Sequence, residues 1–336
     1  MRSASIIGCG VVAALYAGVA SSHHGNSEYD MTVVVRYEGV IVEHVWRNPH
    51  TLTRLATHTA SGEAITLEIE GGSPSVLRTS GATANSIVQG EHVTAVVSPS
   101  RRFPNQTAYG LEIIKADGTV IPLDWTRRQT AQNEQLAQTA PDMFRTWLPP
   151  RDLFDQMLQW AWSSQLTEKG QGIRARYTPM MHRHAECMPM SAPMLMTYPV
   201  AVGFTQLSDH IAIRSDWLGA ERTVYMDGRD HPPSNERFLQ GHSTGRWEGK
   251  VLVVDTRNFV DEVWATMPSG ERKHLVERFA LSADGKSMSY SFVLEDPEYL
   301  ARPVSGGGQM SYRPDLKFGG IECDLESAKR FFRELQ

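Results

Sequence analysis

The chain has 336 residues, of which 41% are hydrophobic, and its 33 basic and 38 acidic side chains give a formal net charge of −5. This charge balance excludes a strongly basic nucleic-acid-binding protein, so no nucleic acid partner is predicted. The length exceeds that of one ordinary domain and predicts two domains with separate cores.

Residues 1–22 have the features of a bacterial secretory signal peptide. Arg2 precedes an apolar run over residues 6–20, and the small residues that follow permit cleavage after Ala20 or after Ser22. The run is too short for a membrane span with ordinary flanks, so no transmembrane segment is expected after cleavage. The predicted location is therefore the periplasm or the medium.

Two histidines follow the predicted cleavage sites. Cleavage after Ser22 gives His23 a free amine beside its imidazole, and His24 comes next. An amine together with imidazole nitrogens suits Cu(II) or Ni(II). The chain turns at Asn48-Pro49, which places His50 where a neighbouring terminal segment could reach it. The pattern predicts copper binding through His23, His24 and His50, with solvated terminal histidines as the alternative.

Residues 23–125 have the pattern of a small β domain. Ser73-Pro74 predicts the capped start of a short helix over residues 74–79. β-branched and alternating runs predict strands on both sides of this helix, with a bulge or bend at Gly39; they cover residues 31–45, 50–57, 64–70, 90–98, 109–115 and 119–123. This order of strands and helix is typical of an OB-type barrel.

Several motifs in this domain resemble a known family. They are His23-His24-Gly-Asn-Ser, Asn48-Pro49-His50 and the Glu-Gly-Gly-Ser-Pro segment at residues 70–74. Over residues 22–123 the chain is similar to the uncharacterised bacterial secreted family DUF6152. Residues 226–256 resemble the C-terminal part that accompanies this family. The resemblance implies export and carries no known activity.

Residues 126–197 predict a helical connector. It begins with a Gln-rich stretch at 126–140 and continues with helices at 151–164 and 168–177. Residues 180–196 then hold six methionines together with His182, His184 and Cys187. Thioether, thiolate and imidazole are ligands that soft Cu(I) prefers, so this segment is a second candidate metal site. The alternative is that the methionines fill gaps in a core. Cys187 and Cys323 could pair in an oxidising compartment.

Residues 198–336 predict an antiparallel lipocalin-like β-barrel that ends in a terminal helix at 324–335. Six candidate strands are separated by turn signals such as Asp227-Gly228, and no helices alternate with them. The candidate strands cover residues 200–205, 210–215, 221–226, 249–255, 274–280 and 287–294. The run Gly306-Gly307-Gly308 has the composition of a turn.

Polar residues alternate along several of these strands. If that face lines the barrel, His274, Arg278, Tyr225, Asp227 and His242 are candidate catalytic residues for hydration, dehydration or isomerisation of a small apolar molecule. The alternative is a solvated outer face. Three classes of function therefore remain open: an exported copper-binding protein as the first hypothesis, an acid–base enzyme, and a non-catalytic envelope protein. Beyond copper, no cofactor is predicted.

Overall fold

The computed structural model describes residues 28–124, 138–264, 267–320 and 323–334. The predicted signal peptide, His23 and His24 lie outside these residues, as does most of the Gln-rich stretch. Strands make up two barrels, which confirms a mainly β fold with an N-terminal OB-like barrel and a larger C-terminal barrel. No helix within the described ranges is long and apolar enough to cross a membrane.

The first barrel contains five strands and one short helix. The strands pair in the order β3-β2-β1-β4-β5, and a parallel pairing of β3 with β5 closes the barrel, while β6 extends β5 at the edge. The elements are β1 (Val35–Val45), β2 (Leu52–His58), β3 (Ala64–Glu70), α1 (Pro74–Arg78), β4 (His92–Pro99), β5 (Thr107–Lys115) and β6 (Val120–Pro122). This topology is that of the predicted OB-type barrel.

Local sequence explains most of these elements. Along β3, Leu67 and Ile69 are fully buried, whereas the neighbouring residues Thr66, Glu68 and Glu70 are more exposed, as alternation predicts. Ser73 caps α1, because its hydroxyl accepts a hydrogen bond from the backbone N–H of Val76. The predicted bulge lies between Ile41 and Glu43 rather than at Gly39. Gly39 instead allows close strand packing, since a Cβ there would lie 2.3 Å from the Ala56 carbonyl oxygen.

The second barrel is closed by nine strands, one more than a lipocalin has. All neighbours are antiparallel except one parallel pair, β10 with β11. The barrel strands are β7 (Thr146–Leu148), β8 (Val202–Gln206), β9 (His210–Ser215), β10 (Glu221–Tyr225), β11 (His242–Glu248), β12 (Val251–Arg257), β15 (His274–Leu281), β16 (Ser287–Glu295) and β17 (Val304–Tyr312). A separate hairpin, β13 (Glu262–Trp264) and β14 (Met267–Ser269), lies between β12 and β15.

Among the described residues, three α-helices accompany this barrel: α2 (Arg151–Ser163), α3 (Glu168–Arg176) and the terminal α4 (Leu325–Glu334). Helix α2 explains why β17 is a strand although residues 306–308 have the composition of a turn. A Cβ at Gly306 would lie 2.1 Å from the Trp160 ring of α2, and one at Gly308 would lie 3.1 Å from Pro150. The glycines therefore leave room for the helix, and the predicted turn is wrong.

The interior of the second barrel is packed with side chains. On β15 the inward residues are Leu275, Glu277 and Phe279, all fully buried, whereas His274 is half-buried and Arg278 is exposed. His274 and Arg278 therefore lie on the outer face of β15, which is the alternative stated above, and Tyr225 alternates with the buried Arg222 and Val224 on β10. Alternation fixes two faces of a strand, and the apolar face turns inward because burying it is favourable.

The two barrels contact each other through α1. Val76 belongs to the core of the second barrel, and Ser75 donates a hydrogen bond to the carbonyl oxygen of Asp216 at 2.7 Å. Arg78 donates to Asp216 Oδ2 from Nε at 3.0 Å and from Nη2 at 2.9 Å. The backbone N–H of Gly319 donates to Asp216 Oδ1 at 2.7 Å. Asp216 is thus the centre of a largely buried junction.

A disulfide links the connector to the C-terminal segment. Cys187 and Cys323 form a disulfide across 136 residues of sequence. This is the pairing that the sequence permits in an oxidising compartment. Cys323 also forms an isolated bridge with Asn48 of the first barrel. The bond therefore holds the Met/His-rich segment beside the region where the two barrels meet.

Candidate functional site

A polar groove of about 720 Å³ runs along β2 and β3 of the first barrel. The sequence positions it through the turn at Asn48-Pro49, where a cis peptide bond precedes His50. Strand alternation points the remaining side chains outward from the core. The chemically relevant lining residues are His50, Tyr29, Arg47, Arg54 and the carboxylates Glu28, Glu68 and Glu70.

His50 is held by groups that fix its ring. Its Nδ1 hydrogen bonds to the carbonyl oxygen of Gly71 at 3.1 Å and lies 2.8 Å from Glu70 Oε1. The carbonyl can only accept, so Nδ1 donates in this contact, and in the neutral ring the lone pair is then on Nε2. A histidine whose other nitrogen donates to a carbonyl or carboxylate is oriented as metal-binding histidines are.

Glu70 is the second notable group of the groove. Its Oε2 accepts a hydrogen bond from the Tyr29 hydroxyl at 2.8 Å. Its Oε1 is buried and, despite the short distance to His50, has no partner with hydrogen-bond geometry among the described residues. A buried carboxylate oxygen without a donor is costly, which favours a cation or a further donor beside it.

All residues that line the groove except Ser327 lie within a segment that matches a family model. Residues 11–109 match DUF6152, a family of unknown function. The match confirms the resemblance over that segment, which contains His50, Glu70 and the two histidines outside the described residues. No curated protein matches the chain.

A second polar cluster lies on the outer face of the second barrel. Asp255 of β12 is at its centre: Oδ2 is 2.8 Å from His274 Nε2, and Oδ1 is 3.0 Å from His231 Nε2. His231 Nδ1 in turn lies 3.1 Å from His242 Nδ1, and the His242 ring stacks on Tyr225 with centroids 5.0 Å apart. We name these five residues the outer histidine cluster.

Three of the five predicted catalytic residues, His274, His242 and Tyr225, belong to this cluster. The other two lie apart from it: Arg278 pairs with Glu248, and Asp227 pairs with Arg229, whose guanidinium lies 3.9 Å from the Tyr225 ring centroid. The catalytic residues predicted from the sequence do not include His231 and Asp255. Their link to β15 depends on the pairing of β12 with β15, which sequence patterns do not specify.

Charge and burial set the protonation of the cluster. The hydrogen bond to Asp255 raises the pKa of His274 above its ordinary value, against a smaller effect of burial. Burial opposes ionisation of Asp255, but hydrogen bonds from His274 and His231 outweigh it and lower the pKa of Asp255 to about 2. Burial and the neighbouring His231 lower the pKa of His242. At neutral pH, Asp255 is therefore a carboxylate and His242 is neutral.

Replacing Asp255 by Asn is expected to lower the pKa of His274, measured by NMR titration of its ring. Because the folded pKa is raised, this contact stabilises the protein below the unfolded pKa of about 6.5 and is lost as the pH rises through the folded value. The wild-type protein should therefore exceed the Asp255→Asn variant in stability by more at pH 5.5 than at pH 8.5. An unchanged His274 pKa in Asp255→Asn would contradict the assigned contact.

The second half of the Met/His-rich segment, residues 190–196, is part of the packed core. Met190, Met194 and Met196 are at most 2% exposed, which favours the packing interpretation. His184 is buried and its Nε2 accepts a hydrogen bond from the Trp217 indole at 2.7 Å, while His182 Nδ1 accepts one from the His184 backbone at 3.3 Å. Among the residues that the structure describes, no group of three or more His, Cys, Asp or Glu is arranged to hold a metal ion.

Proposed function

We propose that this protein binds copper(II) at the groove of its first barrel, with His50 as the central ligand. The observation that carries the proposal is the orientation of His50. Its Nδ1 donates to the Gly71 carbonyl, which fixes the ring as in metal-binding histidines, and Glu70 Oε1 lies 2.8 Å from the same nitrogen.

His23 and His24 supply the remaining ligands in this proposal. Glu28 lines the groove, and it follows His24 by four residues. Four extended residues span at most about 14 Å, which is comparable with the size of the groove. Of the three histidines in this proposed site, only His50 is among the residues that the structure describes. Such a site also requires the predicted cleavage of residues 1–20 or 1–22.

The donor set favours copper over other ions. Imidazole and amine nitrogens bind Cu(II) more tightly than the earlier first-row divalent ions and Zn(II). The carboxylates Glu28, Glu68 and Glu70 add negative charge around the groove, and Glu68 is partly neutralised by Arg54, whose Nε lies 3.0 Å away. A cation therefore enters a region with an excess of carboxylate groups.

Replacing His50 by Ala is expected to weaken Cu(II) binding to the mature protein by tenfold or more, which is about 1.4 kcal/mol. The affinity is measured by competition with a copper chelator, and circular dichroism checks the fold. Binding in the wild type should weaken from pH 7 towards pH 5, because protons compete for the imidazole nitrogens.

His58→Ala is the matched control, since this histidine lies at the exposed end of β2 and does not line the groove. It should bind copper like the wild type. The same affinity in wild type and His50→Ala would remove His50 from the site. A mature protein that binds no more copper than a form retaining residues 1–22 would end the proposal.

A further inference from the structure

The outer histidine cluster holds two imidazoles in an unusual relation. The Nδ1 atoms of His231 and His242 face each other at 3.1 Å. His231 Nε2 donates a hydrogen bond to Asp255 Oδ1 at 3.0 Å, and in the neutral His231 ring this leaves the lone pair on Nδ1. His242 directs its own Nδ1 at that lone pair.

The distance between these two nitrogens fits a shared metal ion. With metal–nitrogen bonds of about 2.0–2.1 Å and tetrahedral angles, two ligating nitrogens lie about 3.3 Å apart. The separation of 3.1 Å is close to this value. His231 lines a surface cavity of about 490 Å³, and His242 lines another of about 540 Å³. Both cavities leave space for water on the ion.

The surroundings of the pair resemble the outer shell of a metal site. Asp255 accepts a hydrogen bond from His231 and is itself held by His274 at 2.8 Å and by Arg257 at 3.4 Å. Such carboxylate–histidine contacts orient a ligand and increase its basicity. Arg229, a cation whose charge acts on His242, is paired with Asp227 through two contacts at 2.9 and 3.0 Å.

We propose that His231 and His242 bind one divalent metal ion of the kind that imidazole suits, such as Zn(II) or Cu(II), through their Nδ1 atoms. Water completes the coordination, so the site is open and exchangeable. The proton on His242 Nδ1 that would otherwise bridge the two rings moves to its Nε2 when the ion binds. This site is separate from the groove of the first barrel and does not depend on the function proposed for it.

Zn(II) titration of the mature full-length protein tests the inference. Calorimetry, and metal analysis after equilibrium dialysis against Zn(II), should show that His231→Ala and His242→Ala each bind one equivalent of zinc fewer than the wild type. Asp255→Asn is expected to keep that equivalent of zinc but to bind it about 10–100-fold more weakly. The reason is that the Asp255 carboxylate orients His231 without touching the ion. Replacing His231 or His242 should remove one equivalent of zinc both from the wild type and from the His50→Ala variant. This result distinguishes the zinc at the histidine pair from any ion in the groove of the first barrel.

His210→Ala is the matched control. His210 belongs to the same barrel, is also half-buried and pairs with Asp209 at 2.8 Å, outside the cluster. Its substitution should leave zinc binding unchanged. Wild-type protein without this zinc equivalent, or an unchanged equivalent in both His231→Ala and His242→Ala, would overturn the inference. The two rings would then share only a proton.

Discussion

Replacing Glu277 by Ala is expected to lower the free energy of unfolding by about 3–5 kcal/mol, the range for breaking a buried ion pair. Glu277 and Arg222 lie inside the second barrel with side chains at most 1% exposed. Arg222 Nη2 donates to Glu277 Oε2 at 2.6 Å, and the Tyr290 hydroxyl donates to Oε1 at 3.0 Å. Without the carboxylate, Arg222 keeps a buried charge that nothing compensates, and Tyr290 loses its acceptor.

Thermal unfolding measures this effect, and a loss of that size corresponds to a midpoint lower by roughly 6–20 °C. Arg278→Ala is the matched control, because Arg278 is the next residue on the same strand and pairs with Glu248 on the exposed face. It should change the midpoint very little. The double variant Arg222→Met/Glu277→Leu should recover most of the stability, since apolar replacements remove both desolvation penalties. Equal midpoints for Glu277→Ala and Arg278→Ala would contradict the assigned energetics.

Replacing Arg78 by Ala is expected to destabilise the junction between the two barrels by about 3–5 kcal/mol. The Asp216 carboxylate, which is 3% exposed, would keep only the hydrogen bond from the Gly319 backbone among the described residues. Arg78 also covers Gly319 so closely that a Cβ there would lie 2.2 Å from the guanidinium carbon. Denaturant unfolding should change from one coupled transition towards two, because the barrels would no longer stabilise each other.

Arg47→Ala is the control for the junction. Arg47 and Asp324 also join the two parts of the chain, but their side chains are 57% and 35% exposed and the contact is 3.7 Å long. Exposed pairs at this distance contribute little, so the unfolding curve should resemble that of the wild type. A similar loss of coupling in both variants would show that Arg78 has no special role.

The sequence by itself determined the architecture of the first barrel. Alternating strands, the Ser73-Pro74 helix start and the turn at Asn48-Pro49 are local signals, and local geometry is enough to interpret them. The same signals identified the DUF6152 motifs and the mainly β character of the second domain. Six of the nine strands of the second barrel also followed from local patterns.

Only the tertiary structure decided which strand faces turn inward and which side chains meet. Gly306 lies in a strand because Trp160, 146 positions earlier in the chain, packs on it. Asp255 joins His231 and His274 because β12 pairs with β15 and the loop before β11 folds over β12. These contacts depend on strand register and long-range packing. A sequence pattern specifies two alternating faces, whereas the total apolar area buried by the whole barrel selects the inner one.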